Sequence, residues 1–324
     1  MMRLHWLAPA LLYFASAPLR ADCTSTIENG AFGSFSSFTI KGSGGEQQTS
    51  VNLTLSCDSI LGLLSSDRVS MRVVSASATA ANRPAMSNVD NPSETQTIPL
   101  RVCGTASCTN ETETQIGKTF SWTGGALLSI GGKGYRAPVY FRTLAGNSLS
   151  AGRYRVTIVL DIGYSVCLIG LLGICVGTSG DNLVTTQLDM TVTSDCIAIN
   201  APDVNFGSAP LASGFAPVSQ AITVSCTKGS VYSVGINNGA NAGTGGVRKM
   251  KSGENTLSYD IYKGATGSRW GSIGAERWGS AASTGVSDDG TERRFAYTAK
   301  ILTARGDTPP AGSYSDTLLV DITF

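Results

Sequence analysis

Val166-Cys167-Leu168-Ile169-Gly170-Leu171-Leu172-Gly173-Ile174-Cys175-Val176-Gly177 is almost wholly apolar, and its reading decides how the rest of the chain folds. The stretch is far shorter than the roughly 20 residues a helix needs to cross a bilayer. Gly170 and Gly173 interrupt it where a loop would turn. Strand-like segments flank it. Ahead lies Val156-Thr157-Ile158-Val159-Leu160-Asp161-Ile162, and behind it Val184, Thr186, Leu188, Met190 and Val192 share one face of 182–193. The stretch therefore reads as an apolar loop joining two antiparallel strands, either buried in the protein or held out from it.

The chain has 324 residues, a net charge of +1 and 15% charged residues. That length accommodates two domains, each with its own core. Near-neutral charge argues against nucleic acid as a partner. With 38 glycines and no long segment of helical period, the composition points to an all-β protein rich in turns. Met1-Met2-Arg3 and the apolar run to about Ala17 read as a secretory signal over 1–21, cut after Ala21. The residues before Cys23 do not form a lipoprotein cleavage box, so no lipid anchor is expected.

Eight cysteines in an exported chain should pair in an oxidising compartment such as the periplasm. Their number alone allows about 105 pairings. Position favours Cys23 with Cys57, Cys103 with Cys108, Cys167 with Cys175, and Cys196 with Cys226. The first and last of these pairs open two similar halves. Phe32-Gly33 follows Cys23, and Phe206-Gly207 follows Cys196. Alternating segments precede Cys57 and Cys226. Late in each half comes Ala-Gly-x-Tyr, ending at Tyr154 and at Tyr314, followed by a strand. An internal duplication explains this pattern, with a signal peptide over 1–21, one domain over 22–194 and a second over 195–324.

Short alternating segments bounded by Gly, Pro, Ser and Asn suit a β-sandwich in each half. The last strand of the second half sets Leu318, Val320, Ile322 and Phe324 on one face. In the first half, 182–193 adds one further strand for which the second half shows no counterpart. A missing strand leaves an open sheet edge, which another chain can fill by β-augmentation. The alternative is a complete sandwich that ends on its own edge strand.

The second half carries a spaced pattern: Cys196, Val204-Asn205-Phe206-Gly207, Cys226-Thr227-Lys228-Gly229, Arg248, Met250, Leu257-Ser258-Tyr259-Asp260-Ile261-Tyr262, Trp270-Gly271, Tyr297, and 310–317 through to Phe324. Over 196–324 it resembles the spore coat U domain, the pilin domain of archaic, Csu-type chaperone–usher pili. The first half resembles it only loosely, through its cysteines and the Ala-Gly-x-Tyr strand. The resemblance implies two immunoglobulin-like sandwiches, the second lacking its last strand. Its groove, lined by Leu318, Val320, Ile322 and Phe324, would take a donor strand from the next pilin after release from a periplasmic chaperone at an outer-membrane usher. A mature chain that starts at Asp22, next to Cys23, has no extension of its own to donate. The expected position is then the fibre tip at the cell surface, the place of a two-domain tip adhesin.

The family is associated with apolar finger loops that grip surfaces and promote biofilm. Carried onto this sequence, the fingers are Leu61, Leu63 and Leu64; Leu127, Leu128 and Ile130; and Leu168, Ile169, Leu171, Leu172 and Ile174. An abiotic or host surface would be the target. Each stretch has a plainer reading as core plug, domain contact or buried strand. Trp122, Trp270 and Trp278 read as packing residues rather than sugar platforms.

Enzyme chemistry finds little support. The sole histidine, His5, lies in the signal, so the mature chain has none for a triad or a His-ligated metal. Residues 131–134 lack the spacing of a phosphate loop, and Asp288-Asp289 beside Gly290 reads as a turn. No cofactor is expected. Two further classes stay open at this point: an adhesin with a specific glycan or protein pocket, and a structural fibre or coat subunit.

Overall fold

The computed structural model of the chain describes residues 23–42, 44–57, 66–130, 134–146, 148–171, 174–265, 267–302 and 308–324. The expected signal peptide and its cut site, and Leu61, Leu63, Leu64 and Leu172, lie outside them. The fold is all-β, two sandwiches in series. Alternation in the sequence becomes alternation of burial: along Gln48–Cys57, for example, Val51, Leu53, Leu55 and Cys57 point inward between half-exposed neighbours.

In the first sandwich one layer is ordered Cys23–Ile27, Gln48–Cys57, Gly134–Thr143, Ile98–Cys103. The other is ordered Thr119–Thr123, Arg68–Ala76, Gly152–Leu171, Ile174–Thr193, Gly30–Ser36. Arg83–Asn88 pairs with a strand of each layer and links them at one edge. One hydrophobic core lies between, running from Cys23 to Val192.

The second sandwich repeats this plan with a gap. Its larger layer is Cys196–Asn200, Val218–Cys226, Glu292–Ile301, Asn255–Lys263, Arg248–Ser252. Its smaller layer is Trp278–Gly279, Ser233–Ile236, Val320–Thr323. No described strand follows Val320–Thr323 where Ile174–Thr193 stands in the first sandwich. The core holds Trp270 edge-on to Trp278, with ring centroids 4.8 Å apart. Trp122, Trp270 and Trp278 are all buried, and each indole N–H donates to a backbone carbonyl. Arg248 is fully buried beside them, held by Asp260 at 2.5 Å and by the carbonyls of Ile236, Asn237 and Trp270.

The duplication is visible in detail. Tyr154 donates its hydroxyl to the Ser150 carbonyl (3.0 Å) and Tyr314 to that of Pro310 (2.8 Å). Both are the corner that starts the next-to-last strand of an immunoglobulin-like sandwich. Gly33 and Gly207 both take positive φ, 97° and 77°, a conformation that glycine adopts without a Cβ penalty. Disulfides join Cys23 to Cys57, Cys103 to Cys108, and Cys196 to Cys226. Cys167 is also disulfide-bonded, while the side chain of Cys175, its expected partner, lies outside the described set.

The two bodies meet through polar contacts. Lys228 reaches Glu94 at 3.0 Å, and Lys41 reaches Asp289 at 2.9 Å. The buried Thr227 hydroxyl accepts from Ser37 and from the Asp195 amide. Asp289 also caps the 287–291 turn through Ser287 and Thr291, so the expected turn doubles as a contact between sandwiches.

Candidate functional site

Among the described residues, two places have the geometry of a site: an open groove in the second sandwich and the far end of the first.

The groove has a volume of about 360 Å³. One wall is the segment 201–206 and the other is 314–320; Ile222, Tyr259, Ile261 and Tyr297 form the floor. It exists because the two walls have no strand between them. In the first sandwich the matching walls, Gly30–Ser36 and Gly152–Leu171, both pair with Ile174–Thr193, the first parallel and the second antiparallel. There Tyr154, Val156, Ile158, Leu160 and Ile162 are completely buried. Their counterparts Tyr314, Asp316, Leu318, Val320 and Ile322 are all only half-buried.

Leu318 and Val320 line the groove, and Ile322 packs on the core beside it. Phe324 is 63% exposed, with its ring 6.2 Å from that of Tyr232 rather than in the groove. The tyrosines below stay protonated. Burial, then the hydrogen bond to Asp316 (2.7 Å), pushes the Tyr259 hydroxyl up, and burial pushes Tyr297 up to about 12. The floor is therefore neutral, with two carboxylates, Asp203 and Asp316, one on each wall.

At the far end of the first sandwich, the apolar stretch that opens the sequence reading is no loose loop. Gly152–Leu171 and Ile174–Thr193 form one long hairpin, still paired at Ile169–Val176, Gly170–Cys175 and Leu171–Ile174. Gly170 thus sits in a strand and not at a turn, because the register slips by one residue between Cys167 and Ile169 and the ladder then resumes. Among the described residues, the ladder to Arg68–Ala76 ends at Ser165, so from Val166 onward the hairpin strands pair only with each other. Val166 and Cys167 are buried. The backbones of Leu168, Ile169, Leu171 and Ile174 belong to this ribbon, while their side chains lie outside the described set.

The apolar stretch 127–130 divides. Leu128 is 63% and Ile130 37% exposed, but Leu127 is 3% exposed and packs with Leu53, Leu55, Val69 and Tyr135. Leu127 is a core residue, which corrects its place among the expected fingers. The short 3-10 turn Gly124–Ala126 swings it inward before Leu128–Ser129 pairs with Gly134–Thr143.

One buried carboxylate ties these roots together. Asp67, three residues after Leu64 in sequence, accepts from the Tyr135 hydroxyl and from the Cys167 amide (3.0 Å). Burial, then this carboxylate, holds the Tyr135 hydroxyl well above its ordinary value. The bases of all three stretches thus converge at one end of the first sandwich. Sequence reading missed Asp67, since a contact across 100 residues leaves no local signal.

A family model describes this architecture. The Spore Coat Protein U domain model matches residues 11–161 and again 182–321. The chain belongs to the Spore Coat Protein U domain family. The first half, for which the sequence resemblance is loose, is matched as fully as the second. No curated protein sequence matches significantly. Among solved structures, the chain is similar to a chain of the CsuC–CsuE chaperone–tip adhesion subunit pre-assembly complex from the archaic chaperone–usher Csu pili of Acinetobacter baumannii. The two are 25% identical with a TM-score of 0.55, over 94% of this chain and 100% of that one. The CupB6 tip adhesin of Pseudomonas aeruginosa matches at 13% identity and a TM-score of 0.37, over 94% of each chain, too distant to carry an argument.

Proposed function

We propose that this spore coat U family chain is the tip subunit of a chaperone–usher pilus, held to the fibre by its second sandwich (195–324) and attaching to surfaces through its first (22–194). The open groove beside a closed copy of the same fold is the observation that carries this reading. A half-buried cleft that exposes Leu318 and Val320 between two walls not paired with each other is a costly feature for a secreted domain to keep, and a strand from the next pilin would cover it. Until then, a periplasmic chaperone would shield it on the way to an outer-membrane usher. The whole-length likeness to a chain of the Csu chaperone–tip complex supports the same assignment.

The adhesive end is the one farthest from the groove. The hairpin ribbon and the exposed Leu128 and Ile130 project there from roots held by Asp67. Apolar fingers of this kind bind by shedding water, at no more than about 1.5–3 kcal/mol for each Leu or Ile. Many tips per cell multiply such weak grips through avidity, which suits attachment to bare surfaces and biofilm growth. The test replaces Leu168, Ile169, Leu171 and Leu172 with Ser or Thr in a piliated strain. Attachment to polystyrene is expected to fall at least tenfold with fibre number unchanged. Undiminished attachment, or attachment abolished by a soluble sugar, would replace the finger mechanism with a specific receptor pocket.

A further inference from the structure

Cys226-Thr227-Lys228-Gly229 belongs to the spaced pattern of the second half, yet neither the groove nor the far end of the first sandwich uses it. Its place in the fold is the joint between the two bodies. At the equivalent point of the first half, Cys57 leads into Asp58-Ser59-Ile60-Leu61 and an apolar stretch. One end of the sandwich thus carries apolar chain in the first copy and Thr, Lys and Gly in the second.

We propose that residues 226–230 are a clamp that locks the two sandwiches in one orientation, by pinning the linker between them and gripping the first sandwich beside its tyrosine corner. Relative motion is the default for two bodies whose cores are separate and whose contact is polar. The loop removes that freedom, and the hairpin end is then held at a constant bearing to the groove, whatever it binds.

Only Ser194 and Asp195 separate Ile174–Thr193 from Cys196–Asn200, and the Cys196–Cys226 disulfide brings the loop beside them. The Thr227 amide donates to the Asp195 carbonyl (2.8 Å), and the Thr227 hydroxyl accepts from the Asp195 amide (3.0 Å). The Ser230 hydroxyl donates to that of Ser194 (3.3 Å). Both linker residues are therefore held by the second sandwich, which leaves them little freedom to act as a hinge. The grip on the first sandwich has two parts. Ser37, which opens the helix Ser37–Lys41, donates its hydroxyl to Thr227 (3.1 Å), with both side chains buried. The Lys228 ammonium meets Glu94 (3.0 Å), a carboxylate only 2% exposed that also accepts from the Gln96 and Ser150 amides. A buried carboxylate is costly without a cation. Among the described residues, the cation paired with Glu94 comes from the other body. Ser150 also bridges to Lys228 through the backbone, and its carbonyl is the one that takes the Tyr154 hydroxyl. Gly290, with φ 74°, lies behind the lysine stem, where a Cβ would come within 3.1 Å of it.

The test measures amide residual dipolar couplings of the full exported chain in a weakly aligning medium, which give an alignment tensor for each sandwich. The wild-type protein is expected to show one shared tensor. Thr227→Val with Lys228→Met keeps the shape of both side chains but removes their polar bonds. In that double variant the two tensors are expected to differ in magnitude by on the order of twofold, with the core amide shifts of both sandwiches unchanged. Lys41→Met cuts the ion pair to Asp289 outside the loop and is expected to leave one shared tensor. Two different tensors in the wild-type protein would overturn the proposal. A shared tensor retained in the double variant would do the same, because the continuous strand alone would then set the angle. Separation by Lys41→Met as large as that of the double variant would also overturn it, since the 287–291 turn would then be the clamp. If the double variant does not fold, Lys228→Met and Glu94→Gln made singly, one on each body, decide the matter: separated tensors support the clamp, and a shared tensor in both overturns it.

Discussion

Two strands in this molecule start from the same corner and meet different fates. Behind Tyr154 the chain runs into a fully covered core. Behind Tyr314 the same alternation stays half-uncovered. The local sequences are comparably apolar, so strand propensity does not separate them. The difference is one neighbour: Ile174–Thr193 covers the first strand and nothing described covers the second. Burial, and the stability that comes with it, is here a property of the pairing and not of the strand.

The comparison is easiest to break by truncation. Ile158→Ala removes a completely buried side chain and is expected to cost about 2–5 kcal/mol. Leu318→Ala, its counterpart in the groove wall, is expected to cost about 1 kcal/mol or less. Urea denaturation of the two variants measures both, and equal costs would mean that the groove is already filled in solution.

Next in size is the pair of matching disulfides. Cys23–Cys57 and Cys196–Cys226 close loops of similar length, 34 and 30 residues, so each double Cys→Ala variant should lose about 3–4 kcal/mol. The closed first sandwich is expected to survive that loss at 37 °C and the open second one to unfold, as limited proteolysis would show. The reverse order would place the weaker body at the wrong end.

The smallest effect lies where the two bodies touch. The Lys41 ammonium, then the Ser287 and Thr291 hydroxyls, hold the Asp289 carboxyl well below the usual carboxylate range. A depressed carboxylate stabilises above its unfolded value, about 3.9, and that contribution fades as pH falls toward the folded value. Titration of the Asp289 carboxyl by NMR should show it ionised at pH 3, and Lys41→Met should raise its midpoint. An unchanged midpoint would mean that the contact does not persist in solution.

Much of this arrangement is legible in the sequence because it repeats. The cysteine pairs, Phe-Gly and Ala-Gly-x-Tyr mark equivalent points of two sandwiches, and alternation marks the inward faces of 51–57 and 184–192. What stayed hidden depends on distant partners. Leu127 and Leu128 are chemically identical, and only the preceding 3-10 turn decides that one faces the core and the other water. Asp67 and Thr227 look like ordinary loop residues until Cys167, Tyr135, Ser37 and Asp195 arrive from elsewhere in the chain. The apolar hairpin read as a loop because Gly170 mimics a turn, whereas cross-strand pairing with Cys175 carries it within the ladder.

The route of the backbone through Ile174–Thr193 has a mechanical meaning. This strand starts at the hairpin end and passes through Ser194 and Asp195 directly into Cys196–Asn200 of the second sandwich. A pull on the hairpin end therefore reaches the second sandwich along the covalent bonds of a single strand. The ladders of the first sandwich flank that line of force and do not carry it in series. In the proposed fibre, tension would meet its first non-covalent joint at the groove, where a donor strand clasped lengthwise between two walls would have to slide along all its hydrogen bonds at once. A chain with this route, at the proposed fibre tip, would keep its first sandwich folded under load and concentrate the strain at the junction with the shaft.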